Sequence, residues 1–154
     1  MTATVPNSTF DHRSSDDKSI TASIDALDVM FEEMSDHLFD ADFFKSLGAE
    51  FRRLHARLRA HHAAAYVQPD ADPSSAMPPE QAEELSRLRL EHSEFLGRLD
   101  RLVRCSDSMA EQTLEDKDVF LLRGRELIAS LRRHEAEEDR LFYLAVWRDT
   151  GGES

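Results

Sequence analysis

The chain has 154 residues, enough for one domain around a single core and too few for two. Nineteen Lys and Arg stand against 31 Asp and Glu, a net charge of −12 that repels a phosphate backbone or an anionic membrane, so nucleic acid and membrane surfaces are not expected partners. The single cysteine, Cys105, rules out an internal disulfide, no apolar run approaches the roughly 20 residues needed to span a bilayer, and the first 20 residues lack a signal peptide's apolar centre, so a cytoplasmic protein is expected.

Residues 1–10 carry no hydrophobic period and are expected to be loose; residues 11–148 read as one helical domain, with a loose tail over 149–154. Ile20, Ile24, Leu27, Phe31, Met34 and Leu38 hold a 3.6-residue stripe, the mark of a first amphipathic helix. The run FDADFFKSLG breaks or bends that pattern. A second stripe follows through Leu47, Phe51, Leu54, Leu58, His61 and Ala65, with the helix continuing to about Val67. The stretch from 68 to 79 holds four of the five prolines and reads as an extended connector, and its closing pair, Pro78 and Pro79 before Glu80, suits a helix start. Helix three places Leu85, Leu88, His92, Phe95, Leu99 and Leu102 on one face and ends near Ser106. A polar link, SDSMAEQTLEDKD, is expected to lead into helix four from about Val119 to Arg148.

Four amphipathic helices without a strand pattern predict an all-α fold, an up-down-up-down four-helix bundle, because a helix with one apolar stripe must bury it against others. The stripes themselves are unusual. On helix four, Leu127, Leu131, His134, Glu138, Leu141 and Ala145 follow at steps of four and three, so an imidazole and a carboxylate sit one turn apart among apolar neighbours. Glu138 also belongs to the acidic run with Glu135, Glu137 and Asp139, and a solvated face is the plain reading of such a run. Against it stand His61 and His92, at inward positions of two other helices. Three buried imidazoles are costly unless something shared satisfies them, and a transition metal does so; spacing alone admits iron, zinc or manganese.

The fragments LRAHH at 58–62, LEHSEFLGRL at 90–99 and LRRHEAEEDRLF at 131–142 resemble the hemerythrin-like, or HHE cation-binding, domain, and the resemblance spans nearly the whole chain. It implies a hemerythrin-like four-helix bundle holding non-haem iron, usually two ions. The family's His-x-x-x-Glu pair on helix four falls on His134 and Glu138, its helix-three histidine, commonly preceded by Glu, on His92 after Glu91, and its helix-two histidine on His61. Helix two departs from the pattern. Where the family has a bridging carboxylate, four residues beyond its histidine, this chain has Ala65. The adjacent His62 and Tyr66 form a second pair four residues apart, and a phenolate is a good hard ligand for ferric iron; the alternative is that Tyr66 caps the helix end.

For helix one, level ligands in an antiparallel pair must lie about equally far from the turn. With a turn near 40–43, His12 in FDHR is favoured, its excess distance taken up by an irregular link through FDADFF; it also resembles the start of the family's first helix. His37 becomes level with His61 only if helix one runs to Lys45 with a tight turn at Gly48, while Asp16 and Asp17 are further oxygen donors. His55, Cys105 and the aromatic run LFYLAVW read as boundary or packing residues.

The resemblance implies a centre that binds or senses a small ligand such as oxygen, nitric oxide or peroxide; no residue indicates a protein partner. Two other expectations stand beside it: a di-iron peroxidase or oxidase, and a metal-free bundle serving only as an interaction protein.

Overall fold

The computed structural model describes the backbone of residues 8–66 and 78–149 and the side chains of 18–64 and 78–144. Four long helices follow in order: α1, Ser8–Glu33; α2, Ala41–Tyr66; α3, Pro79–Ser106; and α4, Leu114–Asp149. Single 3-10 turns, Met34–Asp36 and Met109–Glu111, follow α1 and α3, and there is no strand among the described residues. α2 packs on α1 and α3, and α4 packs on α3 and α1, so every helix buries a face against two others.

Local chemistry sets the helix ends. Asp40 Oδ1 accepts the backbone N–H of Asp42 at 3.0 Å, an aspartate cap that starts α2 directly after a short link at His37–Asp40. The chain break therefore falls earlier than FDADFFKSLG as a whole suggests. Ala41, Asp42, Phe43 and Phe44 are already helical, so no irregular link runs through FDADFF. A tight turn at Gly48 is also excluded, because Gly48 lies inside α2 with its Cα pressed against the Ser106 hydroxyl of α3. Pro79 opens α3 after Pro78, whose carbonyl accepts the N–H groups of Gln81 and Ala82. α4 begins at Leu114, five residues before Val119, because Thr113 Oγ1 caps the Asp116 N–H at 3.1 Å and converts the polar LEDKD into a first helical turn.

Most of the expected apolar stripe positions are buried: Ile20, Ile24, Leu27, Phe31 and Met34 on α1, Leu47, Phe51, Leu54 and Leu58 on α2, Phe95, Leu99 and Leu102 on α3, and Leu127 and Leu131 on α4; Phe44, Phe120 and Ile128 join them, while Leu38, in the link after α1, is half-buried. Phe31, Phe44, Phe51 and Phe120 interleave near the α1–α2 and α3–α4 links, with centroid separations of 5.9 Å for Phe31–Phe51, 6.2 Å for Phe44–Phe120 and 6.1 Å for Phe51–Phe120. Lys117 closes this end. Its Nζ donates to the Ala110 carbonyl at 3.0 Å and lies 4.2 Å above the Phe39 ring, and the side chain is buried. Outside the core, Arg132 on α4 pairs with Asp25 and Asp28 on α1, and Arg87 and Arg140 bind Glu137 and Glu84 across α3 and α4. Among the described residues, no helix is long and apolar enough to cross a membrane.

Two glycines give a paired test of this packing. A Cβ on Gly124 of α4 would meet the Phe31 ring at 2.5 to 3.2 Å, whereas one on Gly97 of α3 would meet only the Arg101 guanidinium, at 4.0 Å. Gly97→Ala should therefore raise stability by about 0.5–1 kcal/mol through helix propensity. Gly124→Ala should lower it by about 1 kcal/mol or more, because overpacking outweighs that gain. Denaturant melts of the two variants check the opposite signs.

Candidate metal centre

The inward histidines of three helices meet at one level. His61 of α2, His92 of α3, and His134 with Glu138 of α4 are 3%, 1%, 3% and 2% exposed. They form a polar layer that interrupts the core, with the large cluster ending at Leu58, Phe95 and Leu131 on one side and Leu85, Leu88 and Leu141 on the other. The helical period that buries the leucines carries these four polar groups inside with them.

Glu138 is the hub of the layer. His61 Nε2 lies 2.6 Å from Glu138 Oε1, and His92 Nε2 and His134 Nε2 each lie 3.3 Å from Oε2. The rings are correspondingly close, with centroids 5.5 Å apart for His61 and His92 and 4.5 Å for His92 and His134, the latter edge to face. Glu91 completes the arrangement: its Oε2 sits 2.7 Å from His134 Nδ1, so the other ring nitrogen is the one that faces the cluster. A carboxylate on the outer nitrogen of an imidazole fixes both ring orientation and tautomer.

Charge in the layer follows from these contacts. Burial pushes the Glu138 carboxyl up, but His134, His61 and His92 around it outweigh that and hold it far below the usual carboxylate range. Burial likewise disfavours charged His134, yet the carboxylates of Glu138 and Glu91 on its two sides more than offset this and raise its pKa. For His92 burial wins over the Glu138 contact, and its pKa is lowered. His62, beside the layer with its ring centroid 5.1 Å from that of His92, is lowered by burial and by the neighbouring His92 and His61.

Ligand atoms of His61, His92 and Glu138 all lie within 4.8 Å of one another. An ion with bonds of about 2.0–2.2 Å needs neighbouring donors roughly 3–3.5 Å apart, and the His61 and His92 nitrogens stand 2.6 and 3.3 Å from the Glu138 oxygens. Two imidazoles and a carboxylate, with a third imidazole against the same carboxylate, are a donor set that iron, zinc and manganese all accept.

Other sequence candidates fall elsewhere. His37 stands at the α1–α2 link, stacked on Phe43 at 4.8 Å and 3.6 Å from Asp40, and about 20 residues of α2, roughly 30 Å, separate it from His61. It is not brought to the cluster, because the turn forms at His37 itself and not at Gly48. The side chains of His12, Asp16, Asp17, Ala65 and Tyr66 lie outside the described residues. Arg57 of α2 donates to the Ser19 carbonyl of α1 at 2.8 Å and to the Ser23 hydroxyl at 2.5 Å, which sets residues near 15–19 of α1 level with His61. The Glu91–His134 contact is absent from a reading by stripes, since Glu91 lies one position off the apolar face; its place immediately before an inward histidine is the signal that could have found it. Compared with protein-family models, with curated proteins and with solved structures, the chain matches none.

The raised pKa of His134 gives a signed pH test. A histidine whose folded pKa exceeds its unfolded value near 6.5 contributes stability that is fully present below that value and lost as pH rises through the folded pKa. In metal-free protein Glu91→Gln should lower the His134 midpoint in a proton NMR titration. The same change should destabilise the fold more at pH 5.5 than at pH 8.5; an unchanged midpoint would show that Glu91 does not act on His134.

Proposed function

We propose that this chain is a hemerythrin-like, up-down-up-down four-helix bundle that binds non-haem iron and uses it to bind or sense a small ligand such as oxygen, nitric oxide or peroxide. The observation that carries the reading is that His61, His92 and Glu138, each from an inward stripe, bring ligand atoms within 4.8 Å of one another in the core, with His134 against the same carboxylate. Apolar side chains of the same length and volume would fill that layer without desolvating three imidazoles and a carboxylate. Iron comes from the resemblance to the family, since the donor set by itself serves several metals.

His61, His92 and Glu138 would hold the ion, and His134, which approaches the same Glu138 oxygen as His92, would join them. Glu91 keeps His134 turned inward. Bound iron supplies an open position for a diatomic or peroxide ligand and a redox couple. Leu58, Phe95, Leu131 and Leu141 exclude bulk water from the layer, which strengthens every charge interaction within it. A second ion would draw on His62, Tyr66 and His12. Of these only the His62 side chain is described, half-buried beside His92.

One observation favours a different reading. Glu138 already lies 2.6 to 3.3 Å from all three histidines, so the layer also resembles a metal-free polar network, in which the buried His134 Nε2 has no hydrogen-bond partner. Metal analysis separates the two. Protein purified without added metal, or reconstituted anaerobically with ferrous iron, should hold at least one iron per chain. Glu138→Ala and the isosteric Glu138→Gln should lose more iron than the alanine variant of any single histidine, because Glu138 is the one ligand shared by the whole layer. Well under one iron per wild-type chain after reconstitution leaves the polar network as the correct reading, and full iron in both Glu138 variants removes the carboxylate from the site.

A further inference from the structure

About 14 residues of α4, roughly 21 Å, separate His134 from Phe120, where α3, the second 3-10 turn and the first turns of α4 border a half-open hollow of about 600 Å³. Its buried wall is apolar, made of Leu102, Met109 and Phe120. Its remaining wall carries three arginines, Arg98, Arg101 and Arg123. Arg98 is half-buried and the other two are exposed.

The described arginines of this protein divide into those that meet a carboxylate and those, Arg57, Arg59, Arg125 and Arg133 among them, that do not. Arg52, Arg53, Arg87, Arg104, Arg132 and Arg140 each sit against a carboxylate, as expected where acidic groups outnumber basic ones by 31 to 19. Arg98, Arg101 and Arg123 have no ion-pair partner among the described residues, although Asp116 and Glu126 line the same cavity. Three guanidinium groups with no ion-pair partner, beside the buried apolar side chains of a mixed polar and apolar hollow of small-molecule size, form a site whose two parts ask for different things: an anionic head and an apolar body.

We infer that this cavity binds a small amphipathic anion, a carboxylate or phosphate monoester with an apolar chain or ring, its head held by Arg98, Arg101 and Arg123 and its body against Leu102, Met109 and Phe120. Either head matches the planar fork of an arginine, and the hollow accommodates a chain of about eight carbons. The site stands apart from the metal layer and does not depend on it.

The test uses the full chain with octanoate and octyl phosphate as probes, followed by calorimetry and by amide shifts in nitrogen-15 NMR. Both should bind saturably, at least tenfold tighter than octanol or octylammonium, and move resonances of residues 98–126. Arg101→Gln and Arg123→Gln, at exposed positions that leave the core intact, should each weaken binding about fivefold or more while iron content stays at the wild-type level. Comparing octanoate with octyl phosphate tells which head is preferred. Equal affinity for octanol, inorganic phosphate binding as tightly as octyl phosphate, or no saturation by either amphiphile at millimolar concentration would overturn the assignment. So would a dimer in solution that Arg123→Gln dissociates, since the face would then serve a second copy of the chain.

Discussion

One buried carboxylate, shared by imidazoles from three helices, is the constraint that orders this fold. Glu138 lies between Leu58, Phe95 and Leu131 on one side and Leu85, Leu88 and Leu141 on the other, and its negative charge is tolerable because His61, His92 and His134 stand against it. An isolated ionised carboxylate in such surroundings would instead take up a proton. α2, α3 and α4 must therefore keep a common register to within a few tenths of an ångström. A leucine layer allows more slippage than that, because apolar contact has no direction while a hydrogen bond or a coordinate bond does.

The rest of the molecule holds that register. On the side of the helix links, the interleaved rings of Phe31, Phe44, Phe51 and Phe120 and the buried Lys117 fasten the helices near their turns. Along the outside, Arg87 with Glu137 and Arg140 with Glu84 tie α3 to α4 beside the polar layer, while Arg132 with Asp25 and Asp28 ties α4 to α1. Exposed pairs of this kind contribute little stability singly. Their use here is alignment, because they flank the level at which Glu91 meets His134 and Glu138 meets all three histidines.

Much of this was legible in the residues because a helical period transmits position without any knowledge of the partner. Once Leu54 and Leu58 face inward, His61 must; the same holds for His92 after Leu85 and Leu88, and for His134 and Glu138 after Leu127 and Leu131. Three features were not legible in this way. The α4 start at Leu114 depends on one hydroxyl, Thr113, that turns an acidic run into a favourable first turn, and composition alone reads that run as a link. Lys117 looks like a solvated residue in sequence, yet a carbonyl and an aromatic face give its ammonium the partners that burial demands. Glu91 matters through a contact across helices, which no period along one helix encodes. The α1 donor is open for a further reason: the link at His37–Asp40 sets the level of α1 against α2, and it lies about three residues before the turn expected near 40–43.

The central claim is that the layer is a coordination site and not only a polar network. X-ray absorption at the iron edge of the ferrous-reconstituted protein addresses it directly, since imidazole rings leave a multiple-scattering signature that carboxylate and water do not. The account predicts two or three imidazoles per iron with bonds of about 2.0–2.2 Å, and loss of most of that signature when His61 and His92 are both replaced by alanine. An iron environment of oxygen donors alone, or an imidazole signature untouched by that double substitution, would contradict it.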